Sequence, residues 1–239
     1  MRGIAIGVIA SSANSGITRF VFTKTITADI INTDYNLFTT WLSAAGWDGI
    51  TPVDATVTIQ SGVGIYGNGA ASTATALPIV GIPANSVINI VNNGMIVGAG
   101  GGGGDVFTPG YSGSPGIQLA SIGSPTNIYI TNNGTIAGGG GGGGGGGNST
   151  NTITCGGGGG CSLGAGNTGW TRNGSNGTKT SGGSGGYHSG SYYGGYGGNL
   201  GSDGSSGNKT SGGQAGAYVY GNRYATWLVT GTRLGIVVQ

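Results

Sequence analysis

The sequence predicts a mainly β base with one short α-helix, plus a polyglycine-II-type sandwich of stacked threefold glycine rods. Three observations carry that expectation. Glycine supplies 60 of the 239 residues, and Gly138 to Gly147 are consecutive glycines. Apolar residues before about residue 100 alternate as strands require. Two internal repeats recur behind them, and each Asn-Asn-Gly copy of the first leads into a glycine run.

The opening "MRGIAIGVIASSANSG" has the small apolar residues of a weak secretory signal, but its glycines and the following "TRFVFTKTIT" fit strand better. No apolar run approaches the roughly 20 residues that a membrane-spanning helix needs. In "TDYNLFTTWLSAAGW", Thr33 or Asp34 is placed to cap a short helix. Its apolar side would be Leu37, Phe38, Trp41, Leu42 and Ala45, with Gly46 ending it. In "PVDATVTI", Val53, Ala55, Val57 and Ile59 alternate as in a half-buried strand.

"VINIVNNGMIVG" from Val87 recurs as "NIYITNNGTIAG" from Asn127. Asn-Gly between apolar alternations predicts a β-hairpin in each copy. The copies launch "GAGGGGG" from Gly98 and the decaglycine from Gly138. A second repeat, "GTKTSGGSGG" from Gly177, returns as "GNKTSGGQAG" from Gly207. Gly198, Gly201, Gly204 and Gly207 fall at every third position, the period of an extended left-handed helix. The final "AYVYGNRYATWLVTGTRLGIVVQ" regains strand character and is expected to return to the base.

Collagen is excluded, because its triplets need abundant proline and the last of six prolines here is Pro125. Glycine keeps its N–H, so threefold rods can bond sideways to neighbours. A surrounded rod has no room for a Cβ and must be pure glycine. An outer rod can carry other residues on its exposed edge, at every third position. The decaglycine is then the central rod, about 31 Å long, and "GNLGSDGSSG" a peripheral one. Ordering a backbone costs roughly 1–2 kcal/mol per residue, against a net of about 0.5–1.5 for a hydrogen bond, so nearly every buried amide must be paired. A flexible Gly/Ser linker is disfavoured, since such linkers seldom carry Tyr and Trp or repeat "KTSGG".

Charged residues make up 6%, there is no glutamate, and His188 is the single histidine. Acid–base catalysis therefore has little to work with, and no enzymatic activity is expected. His188 lies between Tyr187 and Ser189, with no acidic partner nearby. "GTKT" and "GNKT" lack the spacing of a phosphate-binding loop. Two cysteines and one histidine cannot supply a four-ligand zinc site by themselves, so neither metal nor cofactor is expected. A net charge of +2 gives no footprint for nucleic acid. Asn148, Asn176 and Asn208 open glycosylation triplets, which so many Asn and Thr produce by chance.

An Asn-Asn-Gly strand repeat, followed by oligoglycine runs alternating with short variable segments, resembles the receptor-binding adhesins at the tip of T-even-type bacteriophage long tail fibres. The resemblance covers most of the chain. It implies a β-rich fibre-attachment domain at 1–97, with 117–137 and 217–239, docking on a trimeric tail-fibre shaft protein. It implies a polyglycine-rod receptor-binding domain at 98–116 and 138–216, whose distal loops touch a bacterial outer-membrane protein or lipopolysaccharide. The location implied is the distal tip of the long tail fibre of a virion, after synthesis in the host cytoplasm.

By position, the candidate loops are "DVFTPGYS" from Asp105, "NSTNTIT" from Asn148, "NTGWTRNGSNGTKTS" from Asn167, "YHSGSYY" from Tyr187 and "GNKTS" from Gly207. Only alternate turns of an up-and-down array face outward, and the sequence does not fix which. The expected receptor-binding residues are Phe107, Tyr111, Trp170, Arg172, Tyr187, His188, Tyr192, Tyr193 and Tyr196, because Tyr and Trp give large contact area at low entropic cost. Their other possible role is packing on the edge of the glycine lattice or on the base. Trp41, Phe38 and Leu42 belong to the core or to the fibre contact.

"CGGGGGC", Cys155 to Cys161, departs from the family pattern. A five-glycine rod would put the sulfurs about 19 Å apart, whereas a disulfide needs Cα atoms within about 7 Å. Rod and bridge exclude each other, and assembly in a reducing cytoplasm favours free thiols. Two other readings stand beside the adhesin. A glycine-rich ice-binding (antifreeze) protein would need a flat, regular Thr/Ser/Ala face, and here aromatics intervene. A glycine-rich structural protein does not account for the organised first hundred residues.

Overall fold

The computed structural model describes residues 7–11, 16–69, 74–148, 150, 153–169 and 171–239. Strand follows strand from the start: β1 (Gly7–Ser11), β2 (Thr18–Ile26) and β3 (Ile30–Asn32) precede α1 (Leu37–Ala44), the single α-helix among the described residues. Next come β4 (Val53–Ile59), β5 (Gly64–Gly67), β6 (Leu77–Ile82), β7 (Val87–Asn92), β8 (Met95–Val97), β9 (Ile117–Ile122), β10 (Asn127–Asn132) and β11 (Thr135–Ala137). Four short strands, β12 (Gly146–Gly147), β13 (Thr154–Cys155), β14 (Tyr187–Ser189) and β15 (Tyr192–Tyr193), lie in the glycine-rich part. The chain ends with β16 (Ala217–Tyr220), β17 (Ala225–Val229), β18 (Thr232–Leu234) and β19 (Ile236–Val238).

The long strands wind into a three-sided coil. One face stacks β2, β4, β7, β10 and β17 in parallel, with β1 antiparallel on its edge. The second stacks β3, β5, β8, β11 and β18, and the third β6, β9, β16 and β19. The chain visits the faces in turn, and α1 packs against β6 at the end of the third face. Alternation drives this arrangement: Val53, Ala55, Val57 and Ile59 are buried as expected, and Ile88, Ile90, Ile128 and Ile130 stack above them in one apolar core.

The Asn-Asn-Gly hairpins do not form. β7 and β8 lie on different faces, so Asn93-Gly94 turns a corner of the coil, and the forty-residue repeat is one full turn. Gly94 and Gly134 are needed for closeness: a Cβ on either would overlap a backbone oxygen of the adjacent turn, of Val63 or of Gly94. The asparagines form a ladder along that corner. Asn92 Nδ2 donates to Asn132 Oδ1 at 2.8 Å, and Asn132 Nδ2 donates to the Thr230 carbonyl at 2.8 Å. The helix cap also differs from expectation. Asn36 is the N-cap and makes no side-chain cap bond, while the Asp34 carboxylate accepts from the Asn36 N–H and the Thr40 hydroxyl. Gly46 takes a φ of 95° just past the helix, where a left-handed residue ends it.

Twice the chain leaves the second face as extended glycine-rich segments. After β8 it runs out along 98–104 and back along 110–116 to β9. After β11 it runs out along 138–147 and back along 154–161. It continues through 164–169, 172–177, 182–186, 194–199 and 202–207, and returns along 210–216 to β16.

Backbone bonds knit these segments with a period of three. Gly139 and Gly142 donate to the Ser114 and Tyr111 carbonyls, Gly140 and Gly143 to Cys161 and Gly158, and Gly141 and Gly144 to Ser202 and Ser205. The same residues accept with the same period. Gly138 and Gly141 take the N–H of Gly201 and Gly198, Gly139 and Gly142 those of Gly216 and Gly213, and Gly140 and Gly143 those of Gly101 and Gly104. Segment 138–147 is thus enclosed by 98–104, 110–116, 210–216, 202–207, 194–199 and 154–161.

Segment 154–161 is enclosed in the same way. Gly156 and Gly159 donate to Arg172 and Ser175, Gly157 and Gly160 to Gly104 and Gly101, and Gly158 and Cys161 to Gly195 and Gly198. Its carbonyls receive the N–H groups of Gly186, Asn167, Gly143, Gly183, Gly164 and Gly140. These two enclosed segments carry the decaglycine and the run Gly156 to Gly160, whereas a third run, Gly100 to Gly104, lies outside them and has room for a Cβ at Gly102. A Cβ at any position from Gly138 to Gly147, or from Gly156 to Gly160, would collide with neighbouring backbone.

Segment 202–207 sits at a corner of the array, bonded only to 138–147, 194–199 and 210–216 among the described residues. Its glycines face inward at every third position, and the two positions between them carry side chains, where one had been expected. Three neighbours, where an enclosed segment has six, leave about half of its circumference open. Both cysteines are free and buried.

Candidate functional site

The direction of segment 138–147 divides the turns into two groups. Near Gly138 lie the turns around Cys161–Gly164, Thr178–Ser181 and Asn199–Ser202, which approach the coil. There Lys179 pairs with Asp29 of the coil, and its ammonium stands 5.1 Å from the Tyr66 ring centroid. The hydrogen bond from Lys179 holds the Asp29 carboxyl below the usual carboxylate range, and the same bond raises the lysine. The "NTGWTRNGSNGTKTS" stretch therefore spans the array, with its Lys179 end against the coil.

The opposite end, beyond Gly145, gathers the other turns. Asp105 Oδ1 accepts from the Phe107 and Thr108 N–H groups at 2.8 Å each, closing a turn that buries Val106 and leaves Phe107 73% exposed. Asn148 Oδ1 receives the Ile153 N–H at 3.1 Å, and β12 pairs antiparallel with β13. The Thr171 and Arg172 N–H groups both donate to the Thr154 carbonyl, leaving the Arg172 side chain in solvent. β14 and β15 form a hairpin in which Tyr187 faces Tyr193 across the strands, 61% and 41% exposed. His188 is exposed and its ring meets that of half-buried Tyr192 at 6.5 Å.

The structure thus brings Phe107, Arg172, Tyr187, His188, Tyr192 and Tyr193 to one end. Tyr111 and Tyr196 are exposed on the flanks instead: the Tyr111 carbonyl receives Gly142, and the Tyr196 N–H donates to Ser205 Oγ. Trp170, and Ser149, Asn151 and Thr152 of the "NSTNTIT" loop, lie outside the described residues.

Sequence reasoning named the "GNKTS" turn but gave none of its residues a role. Asn208 and Thr210 hold the backbone of three neighbouring segments there. Only their place in the repeat marked them, and the repeat does not reveal which copy lies at which end.

This end presents aromatic faces, an arginine, Lys209 and many hydroxyl and amide groups. Burial pushes the Cys155 thiol up and the Cys161 thiol to about 12, so neither is a thiolate nucleophile at neutral pH. Among the described residues, no three His, Cys, Asp or Glu side chains cluster to hold a metal, and no helix is long and apolar enough to cross a membrane.

A family model described as phage tail fibre adhesin Gp38 matches residues 21–238. A solved structure, the gp37-gp38 adhesin tip complex of the bacteriophage S16 long tail fibre, contains a similar chain. The two share 28% identity and superpose with a TM-score of 0.70, covering 90% of this chain and 82% of that one. No curated protein sequence matches this chain.

Proposed function

The chain belongs to the Gp38 family of phage tail fibre adhesins, and from that premise we propose that it recognises a bacterial surface receptor through the loops gathered beyond Gly145. The carrying observation is the segregation of side chains. Exposed Phe107, Tyr187 and Tyr193, with Arg172 and His188, occupy the end of the array away from the coil, while the Lys179 turn meets the coil at the other. Large aromatic groups left in solvent on a rigid support suit protein recognition. Tyr192 contributes by seating His188. Tyr111 and Tyr196 extend the same surface along the flanks, and the role expected of Trp170 in receptor contact is carried by the sequence alone.

In this reading the extended segments are polyglycine-II rods, stacked as a sandwich about the two enclosed runs, Gly138 to Gly147 and Gly156 to Gly160. The period of three in donors and acceptors supports that assignment. The attachment domain is 1–97 with 117–137 and 217–239, and the receptor-binding domain is 98–116 with 138–216. The attachment domain docks on a trimeric fibre shaft at the distal tip of the virion's tail fibre, and a similar chain in complex with gp37 supports a fibre protein as that partner. The receptor class is an outer-membrane protein or lipopolysaccharide. The chain is made in the host cytoplasm, where the cysteines stay reduced. Binding, without catalysis or cofactor, is the whole of the activity.

The test is adsorption of the purified protein to bacterial cells. Exchanging residues 187–196 for the corresponding segment of a relative with another host should change which cells are bound and leave the melting temperature in place. Unchanged adsorption by that exchange, and by Phe107→Ala and Tyr187→Ala, would assign recognition to some other surface.

A further inference from the structure

We propose that Asn208, with Thr210 beside it, is a positioning residue for receptor contact: its side-chain amide fixes the β14–β15 hairpin to the end of the central glycine segment. The proposal rests on the receptor-binding reading above and names what holds that surface in shape.

Asn208 Oδ1 accepts from the Gly147 N–H at 3.0 Å and the Tyr193 N–H at 3.1 Å, while Nδ2 donates to the Gly147 carbonyl at 2.9 Å. Its own backbone N–H donates to the Tyr193 carbonyl at 3.1 Å. One residue therefore clamps β15 to the last glycine of the central run. Thr210 extends the clamp: Oγ1 accepts from the Gly145 N–H at 2.7 Å and donates to the Asp105 carbonyl at 2.9 Å, in the turn that lifts Phe107.

The hairpin needs outside support. β14 spans three residues and β15 two, with an irregular register between them. Two-stranded hairpins are marginal in water even when longer. The direction of Tyr187 and Tyr193 is thus set by the clamp more than by the hairpin itself. Asparagine suits the place because it offers an acceptor to two amides and a donor to a carbonyl. Aspartate would keep the acceptor and set a negative oxygen against the Gly147 carbonyl.

The other copy of the repeat supplies a contrast. Thr178 occupies the place of Asn208 and turns inward on its own loop, accepting from the Ser181 N–H at 3.0 Å. Among the described residues its side chain bonds only within that turn, while its carbonyl accepts from the Leu163 N–H. Where the repeat faces the recognition end, the corresponding side chain reaches across to two other segments.

The experiment uses the full chain with Asn208→Ala and Asn208→Thr, the second copying the self-contained turn, beside Tyr193→Ala and the Asn208→Ala/Tyr193→Ala double variant. Amide exchange at Tyr193 and the apparent Kd for adsorption to cells are measured for each. Both Asn208 variants should melt close to the parent, exchange the Tyr193 amide faster, and adsorb about tenfold more weakly, as expected for a lost preorganisation. The double variant should lose less than the two single losses combined, because part of what Asn208 supplies acts through Tyr193. A role in stability alone would give additive losses and overturn the proposal. So would unaltered Tyr193 exchange, or parent-like adsorption of both Asn208 variants while Tyr193→Ala is impaired. If Phe107→Ala, Tyr187→Ala and Tyr193→Ala all adsorb like the parent, the receptor reading fails and this proposal fails with it.

Discussion

The coil and the glycine array are two interiors built on opposite principles. In the coil, Ile88, Ile90, Ile128 and Ile130 exclude water with side chains, and backbone bonding follows from stacking turn on turn. In the array, segments 138–147 and 154–161 present almost nothing but amides, and every lateral direction is filled by another backbone. The difference teaches that close packing and amide pairing, which side chains usually achieve together, can be achieved by removing them. It also shows where glycine is required: at Gly94 and Gly134 in the coil, where turns pass closely, and continuously in the enclosed segments.

The sharpest way to break this comparison is to put a methyl group into each interior surface. Gly142→Ala drives a Cβ into the Gly102 carbonyl, which cannot yield without parting two segments. It should destabilise by well over about 3 kcal/mol, beyond ordinary overpacking, and thermal unfolding or failure to fold soluble protein checks it. Gly102→Ala is the control, since its Cβ would meet Tyr111 Cδ2 at 3.5 Å and the Ala165 carbonyl oxygen at 3.8 Å, both ordinary contacts. That variant should melt near the parent. Equal behaviour of the two would contradict an array held by backbone contact.

Removing bulk from the coil comes next. Ile88→Ala, in a fully buried position, should cost about 2–5 kcal/mol in chemical denaturation. Asn132→Ala should cost about 1–3 kcal/mol, because Asn92 Nδ2 then loses its closest partner in a buried ladder. A finer comparison is amide exchange in the parent. The Gly141 to Gly144 protons should be protected to the same order as those of Ile88 and Ile90, and exchange at the rate of a free peptide would refute the paired lattice.

The smallest effect is expected at the junction. Lys179 keeps Asp29 ionised, so this pair stabilises the fold above the ordinary carboxylate value of 3.8 and loses its contribution as pH falls through the lowered one. The lysine shift is upward, so its share is complete below 10.5 and is lost only at still higher pH. Asp29→Asn should therefore lower the melting temperature slightly across neutral pH and match the parent in strong acid. Both groups are largely solvated, so high salt should shrink the difference.

Much of the coil was legible because alternation reports burial directly: Val53, Ala55, Val57 and Ile59 point inward as their spacing requires. Its winding was not. Asn-Gly signals a hairpin when glycine supplies a left-handed turn, but Gly94 and Gly134 serve closeness between turns, and a single sequence cannot separate the two uses. The forty-residue spacing was the available clue, because in-register parallel copies make a repeat equal to one turn. In the array, the longest glycine run, Gly138 to Gly147, lies in an enclosed segment. Glycine purity is not a sufficient sign, since Gly100 to Gly104 is as pure as Gly156 to Gly160 and leaves room at Gly102. The thirty-residue repeat misled in another way, since an odd number of segments separates its copies and sets them at opposite ends. That parity also hid which loops share a surface, while the aromatic residues at that surface stood out by composition.

Parity has a further consequence. Each excursion leaves the second face and must come back to the coil at the start of the third, so the chain can lengthen or shorten the array only by whole out-and-back pairs: one pair between β8 and β9, four between β11 and β16. Any lineage that gains a pair gains one new tip on the side turned to the outside world and keeps its anchorage where it was. Novelty is thereby confined to the geometry in which it does no harm to the rest.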